Sequence, residues 1–336
     1  MNDRLSRARF ASATAATLAS IAIVGAPAKA AQFDYKYASN LPVDHPLNVR
    51  MHEMWTAIKG ETGGRLDVSV FPNNQLGGDT AMLTQLRSGA LQFFTLDGGI
   101  LQSIVPVAAI QGVGFAFKNS EAAFETMDGP LGAYVRKEIE AKGLVPFEKM
   151  WENGMRQITS STKAIRSADD LADFKIRTPP GKLWVDLFKS LGASPSPLNF
   201  SEVYTALQTH VFDGQENPFA IIDTAKLYEV QKYLSVTNHM WSAFWLLGND
   251  DAWKALPPDI QATVTRNAAK YALLQRRDTA LRNAALADKL ARRGMTLVQP
   301  DIPSFKRKLG DFYKRWKAEF GEEAWSLLES RAGKLA

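Results

Sequence analysis

The stretch Asp173–Phe219, DFKIRTPPGKLWVDLFKSLGASPSPLNFSEVYTALQTHVFDGQENPF, decides the fold. It reads as strand, helix, strand, helix, strand, with a polar group at each strand exit. Phe174–Arg177 alternates as a short strand ending in a cation, and Thr178-Pro179-Pro180-Gly181 supplies the turn after it. Lys182–Leu191 has the spacing of an amphipathic helix, and Ala193–Pro197 forms a second short strand. Asn199 or Ser201 can cap a helix over Glu202–Thr209, and Val211–Phe212 leads into Asp213-Gly214-Gln215-Glu216-Asn217-Pro218. Ligands of an open α/β sheet bind outside the carboxyl ends of its strands, so Arg177 and Asn217 are expected to converge on one side. Arg offers a rigid donor fork for a carboxylate, and Asn offers two donors and an acceptor. Taken singly, a surface Arg and a turn Asn are the plain alternatives.

The same pattern extends toward the N-terminus. Phe33–Ser39 alternates as a strand, a helix runs from about Leu47 to Thr62, and Leu66–Phe71 is a second strand. Asp79 is placed to cap a helix over Thr80–Ser88, and Leu91–Leu96 is a third strand followed by Asp97-Gly98-Gly99. Repeated β-α units argue for a parallel sheet with helices on its faces. Ile100–Lys118 is apolar and glycine-punctuated and takes no clean assignment. Ser120–Ala141 reads as one amphipathic helix, and Leu144–Trp151 and Met155–Ser160 as strands, with Arg156 at the start of the second. Toward the C-terminus, Ile221–Tyr228 reads as helix, Lys232–Thr237 and Met240–Leu247 as two strands, and Asp250–Leu256 as a short helix. Pro258–Arg293 is a long helix with Pro at its start and Gly294 beyond its end. At about 50 Å it is longer than one small lobe. A last strand, Gly294–Val298, precedes helices over Ile302–Phe320 and Glu322–Ala332.

The chain of 336 residues opens with a removable leader. Arg4, Arg7 and Arg9 precede an apolar, acid-free run over Phe10–Gly25, and Ala28-Lys29-Ala30 is a cleavage signal, so 1–30 is expected to be a signal peptide and the protein periplasmic. Removing it takes away four cations and one anion of the +5 total and leaves a chain close to neutral. No block of like charge follows, which removes the electrostatic footprint of nucleic-acid binding. There is no cysteine, hence no thiol nucleophile, disulfide or Cys-based metal site.

Signatures of catalysis are missing. There is no G-x-S-x-G, P-loop or G-x-G-x-x-G, and His45, His52, His210 and His239 fall in unrelated segments. No catalytic residue, metal or cofactor is expected. What remains is a set of polar residues near strand ends: Asn40, Asp79, Asp97, Arg156, Arg177 and Asn217. Two Arg and two Asn facing one cleft suit a carboxylate, and the two Asp suit hydroxyls beside it.

Over nearly the whole mature chain the sequence resembles the extracytoplasmic solute receptors of tripartite ATP-independent periplasmic (TRAP) transporters, in the dicarboxylate- and sialic-acid-binding branch. The matching runs are Phe71-Pro72-Asn73-Asn74-Gln75-Leu76-Gly77, Gly154-Met155-Arg156-Gln157 and Phe174-Lys175-Ile176-Arg177-Thr178-Pro179. The most specific are Phe200-Ser201-Glu202-Val203-Tyr204-Thr205-Ala206-Leu207-Gln208 and the Asp213–Pro218 run after it. The resemblance implies an α/β, two-lobed periplasmic-binding-protein fold of type II-like organisation, with a hinge and a long helix spanning both lobes. The lobes are expected at about 31–153 with 242–281, and 154–241 with 282–336. It implies that Arg177 makes the main carboxylate salt bridge, that Arg156 and Asn217 assist, that Phe200 lines the pocket, and that Asn40, Asp79 and Asp97 hold polar ligand groups. The implied partners are a small organic acid, such as a uronate or small dicarboxylate, and the small and large membrane permease subunits, with the receptor a monomer. Pro180 and Asp97 depart from the sialic-acid pattern, which has an amide side chain and a longer Glu there, so a smaller acid is expected. A secreted enzyme acting on the same acid, or a receptor feeding a sensor, are the rival readings.

Overall fold

The computed structural model describes residues 31–335, so the expected leader and its cleavage site lie outside the described residues. Ten strands follow one another: β1 (Phe33–Ala38), β2 (Leu66–Phe71), β3 (Phe93–Asp97), β4 (Leu144–Pro146), β5 (Trp151–Ser160), β6 (Lys175–Thr178), β7 (Ser194–Pro197), β8 (Gly214–Pro218), β9 (Tyr233–Asn249) and β10 (Thr296–Val298). They form one mixed sheet in the order β2-β1-β3-β9-β5-β8-β6-β7, with β4 and β10 added along β9. On one flank β1 lies parallel to β2 and β3, and on the other β6 lies parallel to β7 and β8. Both flanks are the β-α-β units expected from the alternating pattern. Between them run β5 and β9, antiparallel to each other; β3 joins β9 and β8 joins β5, also antiparallel.

The two strands expected over Lys232–Thr237 and Met240–Leu247 are one strand of 17 residues. Asn238 adopts φ 43, and the register against β5 slips between Arg156 and Ile158. A bulge of this kind bends a strand without ending it. A second slip falls between Glu152 and Gly154, where Gly154 takes φ 123. Here the long helix, Pro258–Arg292, completes the ladder: Gln275 accepts from the Glu152 N–H at 2.7 Å and donates to its carbonyl at 2.8 Å. The helix also reaches both flanks. Its Asp278 pairs with Arg50 at 2.6 Å, and its Lys289 pairs with Asp223 at 2.7 Å.

Two expected helices are divided. Ser120–Ala141 is Ser120–Met127 and Pro130–Glu140, because Pro130 cannot donate and drives Gly129 out of the helical region. Ile302–Phe320 is Ile302–Arg307 and Gly310–Phe320. The unassigned stretch after β3 holds a short helix, Gly98–Leu101, and a 3-10 turn, Pro106–Gly112, both packed into the core. The largest apolar cluster runs continuously from Phe94 and Ile100 to Ile176 and Trp184, so the described chain packs as one body.

Candidate functional site

Arg177 is the centre of the site. It is the third residue of β6 and only 1% exposed. Its Nε and Nη2 both donate to the Leu198 carbonyl, at 2.9 and 2.5 Å, and its guanidinium lies 5.9 Å from the Phe200 ring centroid. No carboxylate among the described residues stands within ion-pair distance of it. Burial pushes the group down to about 9, opposed by the more distant charges of Glu216 and Asp79. A buried cation without a partner is costly, and an arriving carboxylate removes that cost.

Arg156, by contrast, is already engaged. It is 2% exposed in β5, and its Nε and Nη2 grip both carboxylate oxygens of Glu216 in β8, with Nη2–Oε1 at 2.6 Å. Nη2 also reaches Asn217 Oδ1 at 3.1 Å, and Nη1 reaches Ser242 Oγ at 3.2 Å. The guanidinium sits 5.4 Å from the Trp184 ring centroid. Burial pushes Glu216 up, but Arg156 and His239 outweigh it and hold the carboxylate below its ordinary range. Arg156 was expected to assist Arg177 at the ligand carboxylate; its Nε and Nη2 are held by Glu216, and the guanidinium without a carboxylate partner is that of Arg177.

Acceptors face these donors. Asp79 is the first residue of the helix Asp79–Ser88, whose N-cap is Gly78 without a side-chain cap bond. The expected capping role is therefore wrong: the carboxylate accepts instead from Asn40 Nδ2 at 3.1 Å, and its Oδ1 is buried without a partner. Burial pushes Asp79 up to about 6, against Asn40 and Arg177. Asp97 ends β3; it accepts the Gly99 N–H at 2.8 Å and the Ser242 hydroxyl, and burial raises it despite Arg156. Asn217, expected in a turn, is inside β8 opposite Gln157, with its amide nitrogen donating to Gln215 at 2.6 Å. Pro218 can end β8 because the next residues start a helix, Phe219–Thr224.

Asn40, Asp79, Asp97, Arg156, Arg177, Phe200 and Asn217 all line one cavity of about 30 Å³. This is room for about two water molecules. Two wider grooves flank it, one of about 820 Å³ sharing Phe200 and one of about 570 Å³ bordered by Gln102 and Pro180. The seal between flanks is close. A Cβ on Gly99 would stand 2.1 Å from the Trp184 ring and one on Gly181 would stand 2.5 Å from the Gly99 carbonyl. Gln102 Oε1 also accepts from the Leu183 N–H at 3.2 Å.

Sequence reasoning missed Glu216, Ser242, His239 and Asn153, and it read Trp184 only as one of several aromatics that are core by default, one or two of which could line a pocket. Asn153 and Trp184 line the cavity, and Asn153 Oδ1 is buried without a partner. Glu216 was legible in principle: a Glu inside a strand must be paired if the strand is buried. His239, Ser242 and Asn153 carry no local signal, because only the bends of β5 and β9 bring them inward.

A parallel flank on each side of two crossing strands, sealing a charged pocket between them, defines a two-lobed solute-binding protein. The match of residues 37–319 to the bacterial extracellular solute-binding protein, family 7, is specific, and the chain belongs to that family. A 2,3-diketo-L-gulonate-binding periplasmic protein of Escherichia coli is 31% identical over 255 residues, 76% of this chain and 77% of its own. An uncharacterized protein of Sinorhizobium fredii is 38% identical over 293 residues, 84% of this chain, and the chain spans 52% of its length. Among solved structures, a sugar acid binding protein of Advenella mimigardefordensis in complex with galactonate superposes with a TM-score of 0.87 at 28% identity, covering 91% of this chain and 100% of that one. A TRAP periplasmic solute binding protein of Sulfitobacter with bound β-D-galacturonate superposes at 0.85 and 27% identity, covering 90% and 100%. The resemblance to TRAP receptors and the two-lobed α/β fold read from the sequence are borne out.

Proposed function

We propose that this protein captures a monocarboxylate sugar acid, such as a uronate or aldonate, between its two flanks and hands it to a TRAP membrane permease in the periplasm. The observation that carries the reading is Arg177: a cation 1% exposed, lining the cavity, with no carboxylate paired to it. The ligand's carboxylate takes the open side of Arg177, with Asn217 beside it. Its hydroxyls donate to Asp79 and Asp97, and Asn40 and Asn153 supply further acceptors. This donor–acceptor balance favours a sugar acid over a dicarboxylate. A second carboxylate would meet Asp79 and Asp97 and be repelled, whereas a hydroxyl satisfies both. The related proteins that bind galactonate, galacturonate and 2,3-diketo-L-gulonate support the same ligand class.

Binding without turnover fits the chemistry of the cavity. Thr237, His239 and Glu216 form a hydrogen-bonded series, but none of the three lines the cavity. In this reading the two lobes are 31–153 with 242–281 and 154–241 with 282–336, β5 and β9 serve as the hinge, and the receptor acts as a monomer. A thermal-shift screen tests the ligand class. Galacturonate, glucuronate and galactonate should raise the midpoint more than succinate or malate does. At a hundredfold excess over Kd the stabilisation is about 2.7 kcal/mol. Stabilisation only by neutral sugars, amino acids or metal ions would refute the reading.

A further inference from the structure

Beside the bend of β9 at Thr237 and Asn238 lies a pocket of about 560 Å³ that the function above does not use. Three cations from three segments reach it: Lys118 before the helix Ser120–Met127, Lys306 in Ile302–Arg307, and Arg331 in Glu322–Ala332. None of them forms an ion pair among the described residues. The one acid on the rim is Glu125. The floor is Phe115, with Lys306 Nζ 5.8 Å from its ring centroid.

The backbone of this pocket is strained. Phe115 at φ 55 and Asn238 at φ 43 both line it. A left-handed conformation is uncommon for an aromatic residue, and such strain concentrates at functional sites. Both residues are held against His239: the Phe115 N–H donates to the His239 carbonyl at 2.8 Å, and Asn238 is its chain neighbour. Thr237, a buried residue of the same pocket, meets His239 Nδ1 through its hydroxyl at 2.8 Å. On the other side of the imidazole, Nε2 is 3.1 Å from Glu216 Oε2, and Glu216 grips Arg156 in the cavity. Burial holds His239 below its ordinary range, opposed by Glu216, so the ring is neutral at pH 7. The ring then donates from Nε2 to Glu216 and accepts at Nδ1 from Thr237.

We infer that this pocket is a second site, for a small multivalent anion of the phosphate type, joined by the Thr237–His239–Glu216 series to Arg156. Three unpaired cations around a concave floor match such an anion in charge, and the site is complete without any residue of the cavity. An anion seated there pulls on the Thr237 hydroxyl, alters its bond to Nδ1, and so alters the hold of His239 on Glu216. Only the consequence for sugar-acid binding rests on the function proposed above.

Pyrophosphate is a suitable probe because it carries no carboxylate. In calorimetry at low salt the full-length protein should bind it saturably. The double variant Lys306→Ala/Arg331→Ala should bind it at least about tenfold more weakly, since each lost charge removes a charge-assisted contact. Both side chains are exposed, so the fold survives their loss. Arg177→Ala should bind pyrophosphate as the parent does; loss there would place the anion in the cavity and overturn the proposal. Nitrogen-15 resonances of the His239 ring should move on pyrophosphate addition. In Thr237→Val binding should persist while that movement disappears. No saturable binding, equal binding by the double variant, or an unmoved His239 ring would each overturn the inference.

Discussion

At Arg177 a single side chain carries both the cost of the site and its selectivity. Arg177→Lys keeps the charge but loses the planar fork, so a bidentate contact becomes at best a single one. A charge-assisted hydrogen bond is worth about 1.5–3 kcal/mol, so affinity for a sugar acid in calorimetry should fall roughly ten- to a hundredfold. Arg177→Ala should lose more, without loss of stability in the absence of ligand, because a desolvated cation is removed. Asp79 gives a pH signature. Its folded value, about 6, lies above its ordinary 3.8, so the folded state holds the proton more tightly. Stability from this group is present below 3.8 and is lost as pH rises through about 6. The difference of about two pH units corresponds to roughly 3 kcal/mol. Glu152, pushed up to about 7 by burial, acts in the same direction. Denaturant unfolding of Asp79→Asn from pH 4 to 7 should therefore show a flatter decline than the parent; parallel curves would remove Asp79 as the cause. Asn40, Asp79, Asp97, Arg156, Arg177 and Asn217 were read as polar residues near expected strand ends, and Phe200 came from the family resemblance. What each of them touches was not legible: nothing local says that Glu216 occupies Arg156 and leaves Arg177 open.

Among elements, the contact that matters is between two turns. Asp97-Gly98-Gly99 follows β3, and Pro179-Pro180-Gly181 follows β6. They meet through the Trp184 ring lying on Gly99. Gly99→Ala puts a Cβ about where the ring is, and overpacking of this kind costs about 1–3 kcal/mol. The cost falls on the closed arrangement, so sugar-acid affinity should drop roughly five- to a hundredfold, chiefly through faster release in stopped-flow measurements, with the ligand-free melting point little changed. An unchanged release rate would mean that the two turns separate and rejoin independently of the ligand. The element-level reading of the sequence held for both β-α-β flanks and the long helix, whose periodicity is strong. It failed where punctuation was subtle. Asn238 in a left-handed conformation bends β9 where two strands were expected, and Pro130 splits a helix that apolar spacing had joined.

On the scale of the whole molecule, a cavity of about 30 Å³ is smaller than a sugar acid, so the proposed ligand is expected to enter only when the flanks part. β5 and β9 are the strands that cross between flanks, and their register slips near Gly154 and Asn238 are where a hinge is expected to bend. The Gln275 bonds to Glu152 tie the first of these to the long helix. Under the proposed function, closure is expected to follow from the ligand's greater affinity for the joined arrangement. Small-angle scattering should show a radius of gyration that falls as galacturonate is added, and an identical radius with and without saturating ligand would refute hinge closure.

By itself the sequence determined the alternation of strands and helices, the strand ends at which polar residues gather, and the family, because periodicity and local motifs are properties of neighbouring residues. Tertiary structure decided the rest. Whether a buried charge is free or paired depends on groups far apart in the chain. Glu216 reaches Arg156 across the β5–β8 ladder, His239 and Ser242 reach the same network from β9, and Trp184 seats on Gly99 across the closed cleft. Those pairings follow from desolvation and close packing in three dimensions, which no local pattern encodes.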